Sequence, residues 1–165
     1  MGRKKIPKIY LDTSVLGVLV GPEKADRKEA TQRLWNRCKS NKYKVFMSRT
    51  VFDEIERAPE PIRTQIWQAL ESITYKRLEE SEQVNDLANE YIAQGLLTDK
   101  QFDDCMHIAY AAFYKCDALV TWNIKHLARN KTNEGVRTVN LKNGIGMIKI
   151  MIPSILLNME NLKWP

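Results

Sequence analysis

The stretch Lys8-Ile9-Tyr10-Leu11-Asp12-Thr13-Ser14-Val15-Leu16 is a short apolar run that stops on a carboxylate. Ile9, Tyr10 and Leu11 suit a buried parallel strand, which is covered on both faces and therefore apolar throughout. Asp12, Thr13 and Ser14 then stand where strand gives way to helix, because their short side chains can bond the free N–H groups of a first helical turn. On that reading Asp12 is a cap. A second reading places Asp12 at the carboxyl end of a central strand, where open α/β sheets bind their ligands. Taken alone, one acid after one strand favours the cap, so the rest of the chain has to decide.

Working outward, Ala25 to Lys39 predicts an amphipathic helix with Ala30, Leu34 and Cys38 at four-residue spacing and Trp35 alongside. Tyr43 to Met47 is a β-type run ending in Ser48, and Arg49 to Ala58 returns to helical composition until Pro59. Ile62, Ile66, Ala69, Leu70 and Ile73 mark another helix, with a short strand expected over Ile73 to Leu78. Val84, Leu87, Ala88, Tyr91 and Ile92 form the clearest helical stripe, and Gly95 stands where a C-cap belongs. Phe102, Met106, Ala109 and Phe113 give a helix before Ala118 to Thr121, which reads as an inner strand. A short helix over Ile124 to Ala128, another over Val136 to Asn143, a strand over Met147 to Ile152 and a helical turn starting at Pro153 complete the pattern. Strands alternating with helices predict an α/β sandwich around a mostly parallel sheet. Met1 to Lys5, Gly21 to Lys24, Asn130 to Gly135 and the tail after Asn158 are expected to be mobile.

At 165 residues, 44% of them hydrophobic and 28% charged, the chain has the composition of an ordinary soluble globular protein and the length of one domain. No apolar run reaches the roughly 20 residues that span a bilayer, and Met1 to Val20 does not read as a secretory signal, so a cytoplasmic place and no membrane partner are expected. Cys38, Cys105 and Cys116 show no C-x-x-C spacing, and with only His107 and His126 besides, a zinc site is poorly supported; buried free thiols are expected. A net charge of +6 favours a polyanionic partner, though weakly, because the positive residues are spread along the chain.

An acid follows or flanks a strand in three places: Asp12, Glu54 and Asp104. In a parallel sheet those positions can converge on one edge. Unperturbed carboxylates titrate near about 4, so three held close together would repel at neutral pH, a conflict that a divalent cation removes. Oxygen donors without cysteine or a histidine cluster suit Mg²⁺ or Mn²⁺. Such an ion polarises a phosphoryl oxygen and generates hydroxide from water, which is what phosphodiester hydrolysis needs. A phosphatase with a strand-end Asp nucleophile generally carries a second Asp two residues on, and here that place holds Ser14.

Asp12-Thr13-Ser14, Ser48-Arg49-Thr50-Val51-Phe52-Asp53-Glu54-Ile55, Asp104-Cys105-Met106-His107-Ile108-Ala109-Tyr110-Ala111 and Leu119-Val120-Thr121-Trp122-Asn123-Ile124-Lys125-His126-Leu127 together resemble the PIN domain, as found in VapC-type toxin ribonucleases. The resemblance runs in order from about Lys8 to Leu157 and implies a single PIN-like α/β/α domain over residues 1–165, with a core at about 8–157. It implies a metal-dependent endoribonuclease acting on RNA, with Asp12, Glu54 and Asp104 as catalytic, metal-binding acids and Mg²⁺ or Mn²⁺ as cofactor. A small antitoxin and a second copy of the chain are the implied protein partners. Asn123 takes the place of a fourth acid and, bringing one neutral oxygen and no charge, should be a weaker ligand. The alternative is a non-catalytic PIN-like scaffold for RNA or protein, weakened at Asn123. Ser14 and Thr121 are candidates for positioning water, and Lys125 and His126, with Arg49, for meeting a phosphate at the cleft rim. On a helix, Asp53 points about 100° and Glu56 about 200° away from Glu54, so both are expected on the solvated surface, as is Asp103 beside Asp104. Asp99 reads as a helix-start residue. His107 is expected to be a hydrogen-bonded packing residue, and Trp35, Trp67, Trp122 and Trp164 to pack in the core, with only Trp122 placed for base stacking.

Overall fold

The structure, a computed structural model, describes residues 5–159. Met1 to Lys4 and the residues after 159, including Trp164, lie outside the described residues, and with them most of the expectation of mobile chain ends. Five strands, β1 (Lys8–Leu11), β2 (Lys44–Ser48), β3 (Tyr75–Leu78), β4 (Ala118–Val120) and β5 (Lys149–Met151), form one sheet in the order β3-β2-β1-β4-β5. Every pairing is parallel, so the sheet expected to be mostly parallel is wholly so. Between and after the strands lie α1 (Thr13–Val20), α2 (Ala25–Lys39), α3 (Arg49–Arg57), α4 (Ile62–Leu70), α5 (Glu82–Ala93), α6 (Phe102–Phe113), α7 (Asn130–Lys142) and α8 (Pro153–Asn158). α2 packs on α1 and α8, and α5 packs on α6 and α7.

The strands are apolar because helices cover them. Ile9, Tyr10 and Leu11 have no exposed surface, nor have Ala118, Leu119 and Val120 beside them in register. The strand order carries a functional consequence. From β1 the chain moves outward through β2 to β3, then returns to the other flank of β1 with β4 and moves outward again to β5. The order reverses between β1 and β4, which opens a crevice beyond their carboxyl ends.

Two local expectations fail, each for a physical reason. Ile124 to Ala128 is a run of turns instead of a short helix. There the Asn123 carbonyl accepts from both Leu127 N–H and Ala128 N–H (3.0 Å each), while its side-chain Oδ1 accepts from His126 N–H at 3.2 Å. That side-chain bond is of the kind that caps a helix start, but the turn is not continued: the His126 carbonyl is taken by the Thr132 hydroxyl at 2.7 Å, and Arg129 N–H bonds the Leu127 carbonyl at 3.0 Å. Asn130 to Gly135, expected to be mobile, is the first half of α7. Its poor helix formers are tied down by tertiary bonds: buried Thr132 donates to the His126 carbonyl at 2.7 Å, and Asn133 Oδ1 accepts from Ile150 N–H at 2.9 Å on β5. Among the described residues no helix is long and apolar enough to cross a membrane.

Candidate metal centre

Asp12 is the first residue beyond β1, and its N–H still bonds the Val120 carbonyl of β4 at 3.1 Å. It occupies the N-cap position of α1, but its side chain makes no capping bond. The carboxylate turns instead across the crevice, where Oδ2 accepts hydrogen bonds from Ser14 Oγ (2.7 Å) and Thr121 Oγ1 (2.6 Å). Thr121 follows β4, and the backbone beyond it is drawn into the same group. Trp122 N–H donates to Ser14 Oγ and Asn123 N–H to Thr121 Oγ1, both at 2.9 Å. These hydroxyls therefore lock one carboxylate to two strand ends 109 residues apart. A cap would have left Asp12 pointing along its own helix.

Glu54 comes from α3, the helix after β2, and His107 from α6, the helix that leads into β4. His107 Nε2 lies 2.5 Å from Glu54 Oε1 and 3.2 Å from Asp12 Oδ1. Behind the ring, Nδ1 is hydrogen-bonded with the Tyr10 hydroxyl at 2.7 Å, and that hydroxyl with Ser48 Oγ at 2.6 Å. Donor atoms of Asp12, Glu54 and His107 all lie within 4.8 Å of one another. Asp104, in the first turn of α6, is held a little apart: Oδ2 is 3.2 Å from His126 Nδ1, and Oδ1 accepts from Asn123 Nδ2 at 3.5 Å. It does not belong to that tight group of three.

The electrostatics follow from burial and proximity. Burial by itself pulls the His107 imidazolium down, but the Asp12 charge, the hydrogen bond and charge of Glu54 and the more distant Asp104 outweigh it and lift the group to about 9. Burial raises the Asp104 carboxyl, opposed by His107 and His126 and reinforced by the Asp12 charge. A cationic ring thus stands between two carboxylates, in the place where acids of one sign need a positive charge. The carboxylates of Asp12 and Glu54, brought this close, offer oxygen donors suited to a divalent ion, which would replace the ring's positive charge there.

The neighbouring acids behave as surface groups. Asp53 is exposed and pairs with Arg49 at 3.7 Å, Glu56 accepts from Trp67 Nε1 at 2.9 Å, and Asp103 pairs with Arg57 at 3.5 Å. Asp99 begins a single 3₁₀ turn. Lys125 is exposed, as is Arg49, which also reaches Glu80 at 3.9 Å. Trp122 is buried, with Nε1 donating to Thr31 Oγ1 at 2.8 Å, so it packs and offers no stacking face. His107 is the buried, bonded residue expected, yet the partners of Nε2 are the acids themselves. In sequence Tyr10 reads only as a strand residue, and Ser48 as a strand end that opens the motif containing Glu54. The signal for all three was position, Tyr10 and Ser48 near strand ends and His107 one helical turn beyond Asp104.

The PIN domain family's sequence model matches residues 8–125, most of the chain. The chain belongs to the PIN domain family. Two solved PIN-type structures share its fold. Over 67% of this chain and 86% of its own length, VapC20 of Mycobacterium tuberculosis, a Sarcin-Ricin loop cleaving toxin, superposes with a TM-score of 0.51 and 18% identity. VapBC2 of Rickettsia felis, solved bound to a DNA fragment from its promoter, gives a TM-score of 0.56 and 14% identity over 88% of this chain and 98% of its own. No curated protein matches in sequence. In this PIN domain the crevice beyond β1 and β4 is where the acids gather.

Proposed function

We propose that this PIN domain is a metal-dependent endoribonuclease hydrolysing RNA phosphodiester bonds, with Asp12, Glu54 and Asp104 as its metal-holding acids and Mg²⁺ or Mn²⁺ as its cofactor. The observation that carries the reading is the meeting of Asp12 and Glu54 at the strand-order reversal, both within 3.2 Å of His107 Nε2. A divalent ion held there supplies Lewis acidity, polarising a phosphoryl oxygen and acidifying water. Ser14 and Thr121 fix the Asp12 carboxylate by two short hydrogen bonds, so one of its oxygens is oriented before substrate arrives. His126, which lies beside Asp104, and exposed Lys125 are the proposed phosphate contacts, and the net charge of +6 favours a polyanion. A toxin role is part of this reading, in keeping with the toxin among the structures of the same fold, and a small antitoxin and a second copy of the chain are its proposed partners.

A second reading, a PIN-like scaffold without catalysis, draws on Asn123, whose Oδ1 holds the following turn through His126 N–H and whose Nδ2 faces Asp104. The amide works there as a turn former and adds no charge. Cleavage of a mixed RNA pool with Mg²⁺, with Mn²⁺ and with chelator separates the two readings. We expect fragments only with metal, and for folded Asp12→Asn a drop of roughly a hundredfold or more, the scale on which loss of one positioned electrostatic group shows. Silence of the wild type at high concentration with every ion would favour the scaffold, and equal cleavage by both proteins would mark a contaminant.

A further inference from the structure

We infer that His107 is itself a ligand of the divalent ion, giving the centre one nitrogen donor and a preference for Mn²⁺ over Mg²⁺. The inference rests on the metal-centre reading above and goes beyond its all-oxygen donor set. Three observations carry it. First, among the described residues the tight group of donor atoms is Asp12, Glu54 and His107, not the three acids. Asp104 is turned toward Asn123 and His126.

Second, the ring is aimed. Nε2 alone faces the carboxylates, while Nδ1 points back into the core, where the Tyr10 hydroxyl and then Ser48 Oγ engage it. Tyr10 and Ser48 have no exposed surface and His107 only 1%. A histidine whose second nitrogen is fixed by a buried hydrogen bond has its tautomer and orientation set for ligation through the first. A ring that merely filled space would not need both nitrogens engaged and one of them directed at two acids.

Third, the spacing suits an ion. Six-coordinate ligands at about 2.1 Å place neighbouring donors about 3 Å apart. The 3.2 Å between Nε2 and Asp12 Oδ1 already meets that. Glu54 sits closer, at 2.5 Å, but its side chain is 29% exposed, which leaves it room to open when its bond to Nε2 gives way. Imidazole suits borderline transition ions, whereas Mg²⁺ keeps to oxygen.

The test is Mn²⁺ binding to the full chain, read by titration and by pulsed electron paramagnetic resonance on protein made with ordinary and with ¹⁵N-imidazole histidine. We expect a histidine nitrogen coupling in the wild type that changes with the isotope, persists in His126→Gln and vanishes in His107→Gln. His107→Gln should also weaken Mn²⁺ by at least roughly tenfold, the low end of what losing even an outer-shell partner does, and Mg²⁺ by less. Mn²⁺ that binds the wild type, is lost in Asp12→Asn and shows no histidine coupling would overturn the ligand role while leaving the metal centre intact. A coupling that follows His126 would overturn it too. Absent Mn²⁺ binding, or binding unchanged in folded Asp12→Asn, would remove the metal centre and the ligand together. Should His107→Gln fail to fold, the isotope comparison in wild type and His126→Gln still decides.

Discussion

Tyr10 shows how much of the site is built from side chains that never touch solvent. Its hydroxyl joins His107 Nδ1 to Ser48 Oγ inside the sheet, so two buried polar groups depend on a single oxygen. Tyr10→Phe keeps the ring and its edge-on contact with His107 while removing that oxygen. We expect a loss of about 1–3 kcal/mol, the penalty for leaving buried polar groups unpaired, measured as a lower urea midpoint in chelator with an unchanged slope. Unchanged stability would mean that water or a rotated Ser48 replaces the hydroxyl. At this scale the acids were legible because each stands near a strand or early in a helix. His107 was legible as buried but not as the group between Asp12 and Glu54, since Glu54 lies 53 residues away in sequence.

Among the elements, α5 and α7 mark what local sequence can and cannot say. α5 is signalled at both ends. Ser81 Oγ accepts from Val84 N–H at 3.2 Å, and Gly95, at φ +73°, closes the helix by donating to the Ile92 carbonyl at 2.9 Å while Leu96 N–H reaches the Tyr91 carbonyl at 3.1 Å. A Cβ at Gly95 would meet nothing within 4 Å, so any effect there is conformational. Gly95→Ala should therefore destabilise by about 1–2 kcal/mol, the left-handed penalty for an L-residue, read as a lower thermal midpoint. No change would show that the turn relaxes to another conformation. α7 has no such local signal in its first half. It forms because Thr132 bonds the turn at His126 and Asn133 bonds β5, contacts between side chain and backbone that apolar periodicity does not reveal.

At the scale of the whole molecule, α2, α6 and the approach to β4 each carry a buried thiol, and burial pushes Cys38, Cys105 and Cys116 up to about 12. Neutral and covered, all three are poor nucleophiles in the folded chain. At pH 8 a thiol reagent should leave the native protein unlabelled and modify the three cysteines together as urea unfolds it, with labelling following the circular dichroism transition. Rapid modification of any one in the native state would reveal a local opening at that element.

By itself the sequence determined the kind of elements and much of their order, because apolar periodicity, Pro153 at a helix start and Gly95 at a helix end act through neighbours in the chain. It also placed Asp12, Glu54 and Asp104 on strand ends and early helix turns. Only the tertiary structure decided which of them meet. The order β3-β2-β1-β4-β5 sets β1 against β4, so Asp12 lies beside Thr121, while α3 and α6 bring Glu54 and His107 to the same crevice. Asp104, equally promising in sequence, is turned toward His126 and Asn123 by a local pair of contacts. Periodicity assigns a side chain to a face, but contact between residues far apart depends on which strands pair and in what register, and those are set by the packing of the whole sheet.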